Sequence, residues 1–580
     1  MRKAIWAVLA YCHAFCTLAA QSYENTIIFG YAGGHYSVVE QDYGMNILTF
    51  KDGSLKIADD QLIDMWFNDT DAAISDKEGN LLFYYNGIYI EDVSRAIMQN
   101  GDTLNRYNET GYDLPQGGII VPYPEQEDKY ILFHSKEGWV DIPGWELECV
   151  GLYYSVIDMT KNNGLGSVVQ RKVPLSIDTL AYGKLTMARH ANGRDWWLAV
   201  GKSHTNAFYR FLIDPYGVHN LGLQSTGIAR QEGIGEAFFS PDGTKYVVQS
   251  AISQTVGYYL DIYDFDRCSG LFNKHEQIHF TNGIKASGAV ISPNSRWLYI
   301  PDGIYLFKLD LWASPVAPTR ETIATYETFL DPSNTYFHRG FLAPDDKIYI
   351  TTTGGSRTLH VVHQPDEPGT TCAFEQHGVR LPCYNANSLP TFANYRLGPL
   401  DGSPCDTLGL NNWPKAWYRY EQDTLGPLLV DFHDLSYYEP SEWSWDFGDG
   451  KKSIERHPAH QYPAKDIYKV CLTVSNVNGS DTHCKTLYLG VSAQSNPVLQ
   501  SQVLVSPNPF VDRLSVALSA NLRSPIFRLY DAMGGLVQEQ QVVYGINEIE
   551  TSSINNGMYF WEVMSNKEQI KRGKAIKINK

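Results

Sequence analysis

The spacing in this sequence closest to a reactive constellation is His275-Glu276-Gln277-Ile278-His279. Two histidines four residues apart, with a glutamate beside the first, ligate zinc and supply a general base when they lie on a helix, where positions i and i+4 share one face. The stretch Leu271 to Phe280 reads instead as a strand, flanked by glycines and placed between a strand ending near Asp266 and a turn at Ser292. On a strand the two histidines stand about 13 Å apart, too far for one ion, and with 16 histidines in the chain a chance match needs no special cause. Asp446 and Asp449 offer a carboxylate pair, for calcium or for catalysis, but aspartates at that spacing also cap tight turns by accepting backbone N–H groups. The segment from Gly138-Trp139 to Trp145 offers indole faces that would stack on sugar rings if exposed, or pack in a core if not. No GxSxG elbow, phosphate loop or dinucleotide fingerprint occurs, and no CxxC pair supports a structural zinc. No cofactor and no metal site is expected, and no catalytic residue is assigned.

These residues need a scaffold, and its mark is a weak repeat running from about Tyr23 to Gly398. A polar turn precedes a short strand rich in aromatic and β-branched residues: Ser75 to Gly79 before LLFYY, Glu125 to Asp128 before KYILF, Asn192-Gly193-Arg194 before DWWLAV, Ser240-Pro241-Asp242-Gly243 before TKYVVQ, Ser292-Pro293-Asn294 before RWLYI, and Ala343 to Asp346 before KIYIT. Proline presets the first turn angle, and Asp, Asn or Gly tolerates the tight positions that follow. A second strand usually comes after, as in LYYSVID (152–158), FYRFLID (208–214), LDIYDFD (260–266) and IYLFKLD (304–310). Intervals of about fifty residues indicate propeller blades. Six repeats are visible; a seventh blade would form from the segment before Asp71 together with the segment after Cys383. These turns resemble those of the YVTN, lactonase-like and TolB-like propeller families. A stack of unrelated β-sandwiches is the alternative.

Two further regions follow. Trp443-Ser444-Trp445-Asp446-Phe447-Gly448-Asp449-Gly450, then His457-Pro458-Ala459-His460-Gln461-Tyr462, then VCLTVSNVNGSD (470–481) occur in order, and this pattern resembles the PKD domain, a small immunoglobulin-like sandwich. Tyr468, Val470, Leu472 and Val474 alternate as one face of a strand that Asn478-Gly479 turns back. Cys471 and Cys484 flank that turn almost symmetrically, which places them opposite each other on paired strands and predicts a disulfide. After a polar linker, VLVSPNPFVDRLSVAL (503–518), FRLYDAMGGLVQEQ (527–540), GINEIETSSINNGMYFWEV (545–563) and GKAIKINK (573–580) resemble the C-terminal sorting domain of type IX secretion cargo. That resemblance implies the type IX machinery as a partner, passage through the outer membrane of a bacterium of the Bacteroidota, and attachment at the cell surface or release. Four Asp-Thr-Leu tripeptides, at Asp102, Asp178, Asp406 and Asp423, resemble the O-glycan acceptor pattern of such bacteria, or recur by chance.

Composition agrees with this order. The chain of 580 residues is too long for one core, and 38 tyrosines against 9 methionines favour β structure over helical bundles. A net charge of −17 repels phosphate backbones, so nucleic acid is not an expected partner. Arg2 and Lys3, the apolar run Ala4 to Leu18 and the small residues Ala19-Ala20 read as an export signal cleaved before Gln21, since the run is too short to span a bilayer. No transmembrane segment is expected in the mature chain. Beyond the signal lie Cys149, Cys268, Cys372, Cys383, Cys405, Cys471 and Cys484; an odd count leaves at least one thiol unpaired or bonded to a partner.

The expected fold is therefore all-β: a signal peptide (1–20), a β-propeller of six or seven blades (21–400), a linker (401–413), a PKD domain (414–491), a second linker (492–500) and a sorting domain (501–580). Aligning the repeats places Asp71, Gln116, Gly117, Thr186, Glu236, Ser287, Gly288, His338 and Arg339 at or beside the starts of the innermost strands. Glu236 and Arg339 are costly to bury unpaired, so these residues pair with each other or face channel water, or else form the polar floor of a ligand site at the channel mouth. The expected function is recognition of an extracellular glycan or protein by the propeller, with the PKD domain as a spacer. A propeller hydrolase or lactonase is the alternative, separable by whether acid, base or metal ligands converge in the channel; a purely structural surface component is a third.

Overall fold

The computed structural model describes residues 23–31, 43–50, 54–106, 111–140, 146–253, 255–281, 288–385, 388–410, 414–422, 428–436, 438–489, 503–506, 510–518, 525–531, 535–543, 545–552, 554–565 and 568–578. The export signal and Trp145 lie outside them. Among the described residues the regular structure is strand, with three short 3-10 turns and no α-helix. The chain forms two compact units, the first running to Asn412 apart from Glu375–Val379, which group with Trp413–Lys580 in the second.

The first unit is a β-propeller built from seven consecutive antiparallel sheets. In chain order their strands are Thr26–Gly30, Met45–Thr49 and Lys56–Asp60; then Ala72–Ser75, Leu81–Tyr85 and Ile90–Asp92; then Gly118–Pro122, Lys129–Val140, Glu146–Asp158 and Ser167–Ser176. The fourth sheet comprises Thr186–Arg189, Trp196–Gly201, Ala207–Asp214 and Gly217–Ser225, and the fifth Ala237–Phe239, Lys245–Ser253, Gly257–Asp266 and Leu271–Phe280. Val290–Ile291, Trp297–Asp302, Tyr305–Asp310 and Glu321–Thr325 form the sixth, and Phe337–Leu342, Ile348–Thr352, Ser356–Val362 and Phe374–Asn385 the seventh. In the third to seventh sheets strands pair in sequence order, so each is a four-stranded meander.

Burial explains which strands the sequence shows clearly. WWLAVG (196–201) and WLYIPD (297–302) are buried at every position, and strands covered on both faces are written as continuous apolar runs. The outer strands Gly217–Ser225 and Leu271–Phe280 are mostly exposed or half-buried and carry polar residues. Buried tyrosines place an apolar ring in the core and spend the hydroxyl on a carbonyl: Tyr299 donates to Pro365 O at 2.8 Å and Tyr395 to Ile120 O at 2.6 Å.

The repeat turns gather at one end of the unit. In Ser240-Pro241-Asp242-Gly243, Ser240 Oγ donates to Asp242 Oδ1 at 2.5 Å and accepts from Lys245 N at 2.9 Å, while Gly243 takes φ +72°, a left-handed angle that glycine adopts without a Cβ clash. Neighbouring turns touch: Lys77 Nζ lies 3.7 Å from Glu127 Oε1, Arg194 Nη1 2.5 Å from Glu125 Oε1, and Asp242 N donates to Ser295 Oγ at 2.9 Å.

The segment before Asp71 and the segment after Cys383 meet. Gly30 N donates to Ser388 Oγ at 3.1 Å, the rings of Tyr23 and Tyr395 stand 5.6 Å apart, and Arg396 pairs with Glu24. Ser388–Arg396 thus runs as a strap antiparallel to Thr26–Gly30 and parallel to Thr186–Arg189, through the bridge Ala188↔Asn394. It contacts inner strands around the channel: Thr391 N donates to Asp71 O at 2.8 Å, Asn394 Nδ2 to Ser240 O and Pro241 O at 3.0 Å each, and Arg396 Nη2 to Ala343 O at 2.8 Å. A disulfide between Cys268 and Cys405 then holds the chain at the turn end, Cys149 and Cys372 are buried free thiols, and Cys383 is buried.

The second unit holds two pairs of packed sheets. In the first pair Tyr418–Gln422, Leu429–Asp434 and Ala459–Gln461 face Lys452–Ser453, Glu442–Asp446, Ile467–Asn476 and Gly479–Tyr488 across a core of Tyr418, Phe432, Trp445, Phe447, Val470 and Leu472. Cys471 and Cys484 are register partners, Cα atoms 4.1 Å apart, and form a disulfide. In the second pair Val503–Ser506, Arg513–Leu518 and Gly545–Glu550 pack on Leu536–Gln541, Ile526–Tyr530, Gly557–Ser565 and Glu568–Lys577 around Phe510, Phe527, Trp561 and Val563.

Candidate functional site

The inner strands of the propeller begin close together at the end opposite the repeat turns. From the third sheet, Gln116 reaches the fifth: its Nε2 donates to Ala237 O at 3.0 Å and its Oε1 accepts from Ala237 N at 2.8 Å. From the seventh sheet, Arg339 reaches the second, with Nη1 2.9 Å from Asp69 Oδ1, while its Nε stands 3.7 Å from Glu236 Oε1 of the fifth. Glycine makes this convergence possible. A Cβ on Gly288 would stand 2.5 Å from Glu236 Oε2 and 3.2 Å from Arg339 Cα, so a side chain there would displace the carboxylate. Thr186 lines the same cavity as Gln116 and Glu236, a space of about 150 Å³ between the strap and the apolar side chains Met187, Phe238 and Val290.

The remaining positions differ. Asp71 is fully buried, and among the described residues neither carboxylate oxygen has a hydrogen-bond partner. His338 and Arg339 are the second and third residues of the strand Phe337–Leu342, whose register shifts between Phe337 and Gly340. Ser287 lies outside the described residues.

Burial sets the electrostatics. It pushes the Glu236 carboxyl up to about 7, a rise that Arg339 partly offsets and Asp69 adds to. Asp71 is held well above the ordinary carboxylate range by burial alone. Sequence reasoning missed further acids of this unit. Asp113, Glu137 and Glu148 are all raised, chiefly by burial, with Asp69, Asp113 and Glu232 respectively adding like-charge repulsion. Lys184, also missed, pairs with Glu232 at 3.2 Å and donates to Gly233 O and Ser250 Oγ. The available signal was position: all but Glu137 and Glu148 precede the first strand of a sheet, on the long connections. Aromatic residues lie beside this group. Trp66, three residues from Asp69, contacts Tyr31 (ring centroids 5.5 Å), which contacts Tyr43 (5.4 Å), which contacts Tyr384 (5.5 Å), and Arg357 lies 5.2 Å over the last ring.

The other sequence candidates resolve into structural roles. His275 lies on the strand Leu271–Phe280, pairs with Asp261 at 2.7 Å and stacks on Tyr263, while Glu276 accepts from Val316 N and Ala317 N and His279 stacks on Tyr259. Asp446 accepts from Gly448 N at 3.1 Å and Asp449 from Lys451 N at 2.9 Å, both in turns. Ser155 and His134, which the sequence did not single out, touch at 3.3 Å, but both are fully buried inside the third sheet. Among the described residues no group of three or more His, Cys, Asp or Glu is placed to hold a metal ion.

Comparison with known proteins decides the C-terminal regions. Residues 425–491 match the PKD domain family, and residues 504–577 match the secretion system C-terminal sorting domain. The chain is a type IX secretion cargo. No curated protein matches it. Among solved structures, the PKD1 domain of Vibrio anguillarum Epp is 30% identical, covering 14% of the cargo and 100% of that chain with TM-score 0.13. A candidate 6-phosphogluconolactonase from Bacteroides uniformis is 11% identical, covering 62% of the cargo and 97% of that chain with TM-score 0.33. PorZ, described as a surface component of the type IX secretion system of Porphyromonas gingivalis, is 12% identical, covering 97% of the cargo and 99% of that chain with TM-score 0.19. The sorting domain makes the cargo an extracellular protein, secreted or anchored at the outer surface. Among the described residues no helix of the cargo is long and apolar enough to cross a membrane.

Proposed function

We propose that this cargo is a recognition protein whose propeller binds an extracellular glycan or protein at the end where its inner strands begin. The observation that carries the reading is the asymmetry of the propeller's two ends. At one end lie the short repeat turns, the Cys268–Cys405 disulfide and the Tyr23–Tyr395 contact. At the other lie the long connections between sheets, the Asp69–Arg339–Glu236 ion group and the Trp66–Tyr31–Tyr43–Tyr384 aromatic chain. Long loops on a rigid scaffold are where binding residues concentrate, and half-buried aromatic rings beside charged groups suit sugars and polypeptides alike. A screen of the full mature chain against glycan, polysaccharide and extracellular-protein arrays tests the reading. A ligand lost on Trp66→Ala but retained on Trp312→Ala, at the turn end, is the expected outcome; turnover of an ester or glycoside by the wild type would instead favour the hydrolase alternative.

A further inference from the structure

Apart from recognition at the strand-start end, we propose a second site inside the channel: a pocket for a small primary amine whose apolar body is one ring or a short alkyl chain, entered from the turn end, with the ammonium group set on Glu236. The shape comes first. The cavity between the strap and the inner strands has a volume of about 150 Å³, the size at which a protein interior takes up a benzene-sized group. Gln116, Thr186 and Glu236 at one end of it are buried, whereas Pro241, Leu342, Asn394 and Arg396 at the other are half-buried. Gln116 spans the channel to both backbone groups of Ala237, and Arg339 spans it between Asp69 and Glu236, so described side chains obstruct the strand-start side. The space is thus a blind pocket whose mouth lies at the repeat turns.

The chemistry divides along the same axis. The walls are apolar, made by Met187, Phe238, Val290, Phe341, Leu389 and Phe392. At the mouth the Arg396 guanidinium is neutralised by Glu24 and Asp346. The floor is balanced differently. Arg339 Nη1 bonds Asp69 at 2.9 Å, while its Nε stands 3.7 Å from Glu236 Oε1, beyond hydrogen-bond distance, so two carboxylates share one guanidinium. Glu236 Oε2 is buried and has no hydrogen-bond partner among the described residues. A buried carboxylate oxygen left without a donor costs free energy that an incoming N–H recovers, and a cationic donor also supplies the second positive charge. Apolar walls with a single polar end suit a ring or alkyl chain that carries one donor. A polyhydroxylated sugar would bury hydroxyls without partners there.

The test is calorimetric titration of the full mature chain with phenethylamine, with 2-phenylethanol as its uncharged counterpart and with methylamine as an ammonium lacking the ring. The expected result is saturable binding of phenethylamine, binding of the alcohol weaker by about tenfold or more, and none of methylamine. Burial holds the Glu236 carboxyl up at about 7, with Arg339 and Asp69 facing it, and an ammonium requires it ionised, so affinity should rise as pH passes upward through that value. Glu236→Gln should weaken amine binding about tenfold or more and remove the pH dependence. Leu342→Trp, at the half-buried mouth, should abolish uptake of amine and alcohol alike, while Trp312→Ala, an exposed residue at the turn end, leaves both unchanged. Leu342→Trp keeps the floor intact, so its result is readable even if Glu236→Gln loses stability. No binding of the amine, equal affinity for the alcohol, or undiminished binding by either Glu236→Gln or Leu342→Trp would overturn the proposal. None of these outcomes bears on Trp66, so recognition at the strand-start end stands or falls separately.

Discussion

Arg339 crosses the propeller channel from the seventh sheet to Asp69 before the second, 2.9 Å from Nη1 to Oδ1, with both side chains largely withdrawn from water and Glu236 on its other side. One guanidinium thus ties three sheets whose strands are remote in sequence. Removing it would leave two acids in the channel without their shared cation. Breaking a buried pair from one side costs about 3–5 kcal/mol, so Arg339→Met should lower the melting transition of the propeller markedly. Arg339→Met with Asp69→Asn and Glu236→Gln should recover much of the loss. Differential scanning calorimetry of the three proteins checks this, and an unchanged transition in the single variant would contradict it.

Glu236 makes stability depend on pH in a fixed direction. Its folded carboxyl is raised from the ordinary 4.5 to about 7, so between those values the folded state holds a proton that the unfolded chain releases. The stability that Glu236 contributes is therefore greatest below about 4.5 and falls as pH rises to about 7. Glu91, also raised to about 7 by burial, adds in the same direction. Glu236→Gln should flatten part of that slope, which denaturant melts at pH 5 and pH 8 would show as a smaller difference between the two conditions than in the wild type.

Cysteine chemistry should divide cleanly. A non-reducing digest of the secreted protein should yield the Cys471–Cys484 and Cys268–Cys405 peptide pairs, with Cys149 and Cys372 alkylated only after unfolding. Closing a loop of this size in the PKD domain stabilises by about 3 kcal/mol, so Cys471→Ser with Cys484→Ser should lower that domain's transition and leave ligand capture intact.

The strap offers a local test. Asn394 Nδ2 donates to the carbonyls of Ser240 and Pro241 at 3.0 Å each. Asn394→Leu leaves both without that donor, at about 1–3 kcal/mol. Hydrogen exchange at Asn394 and Met187 should accelerate in the variant, and equal protection would show that the strap is held elsewhere.

Much of this architecture was legible in the sequence, for physical reasons that also mark where legibility ended. The turns Ser240 to Gly243 and Ser292 to Asn294 announce themselves because only certain residues tolerate their angles, and LLFYY or WWLAV because strands covered on both faces must be apolar. The inner strands were invisible: Ala237–Phe239 has three residues and Val290–Ile291 two, too short to show a period. Aligning repeats still brought Gln116, Thr186 and Glu236 to one cavity, since the repeat fixes where each inner strand begins. It could not find Asp69 or Asp113, whose positions depend on irregular connections, or the Cys268–Cys405 pairing, which depends on where the strap leaves the channel.

The central claim is that recognition belongs to the strand-start end, and hydrogen exchange of the full mature chain with its captured ligand tests it most directly. The account predicts new protection on the connections 61–71, 177–185, 226–236 and 327–336, with the turns at 76–79, 240–244 and 292–295 unchanged. Protection confined to those turns, or to the PKD domain at residues 425–491, would contradict it.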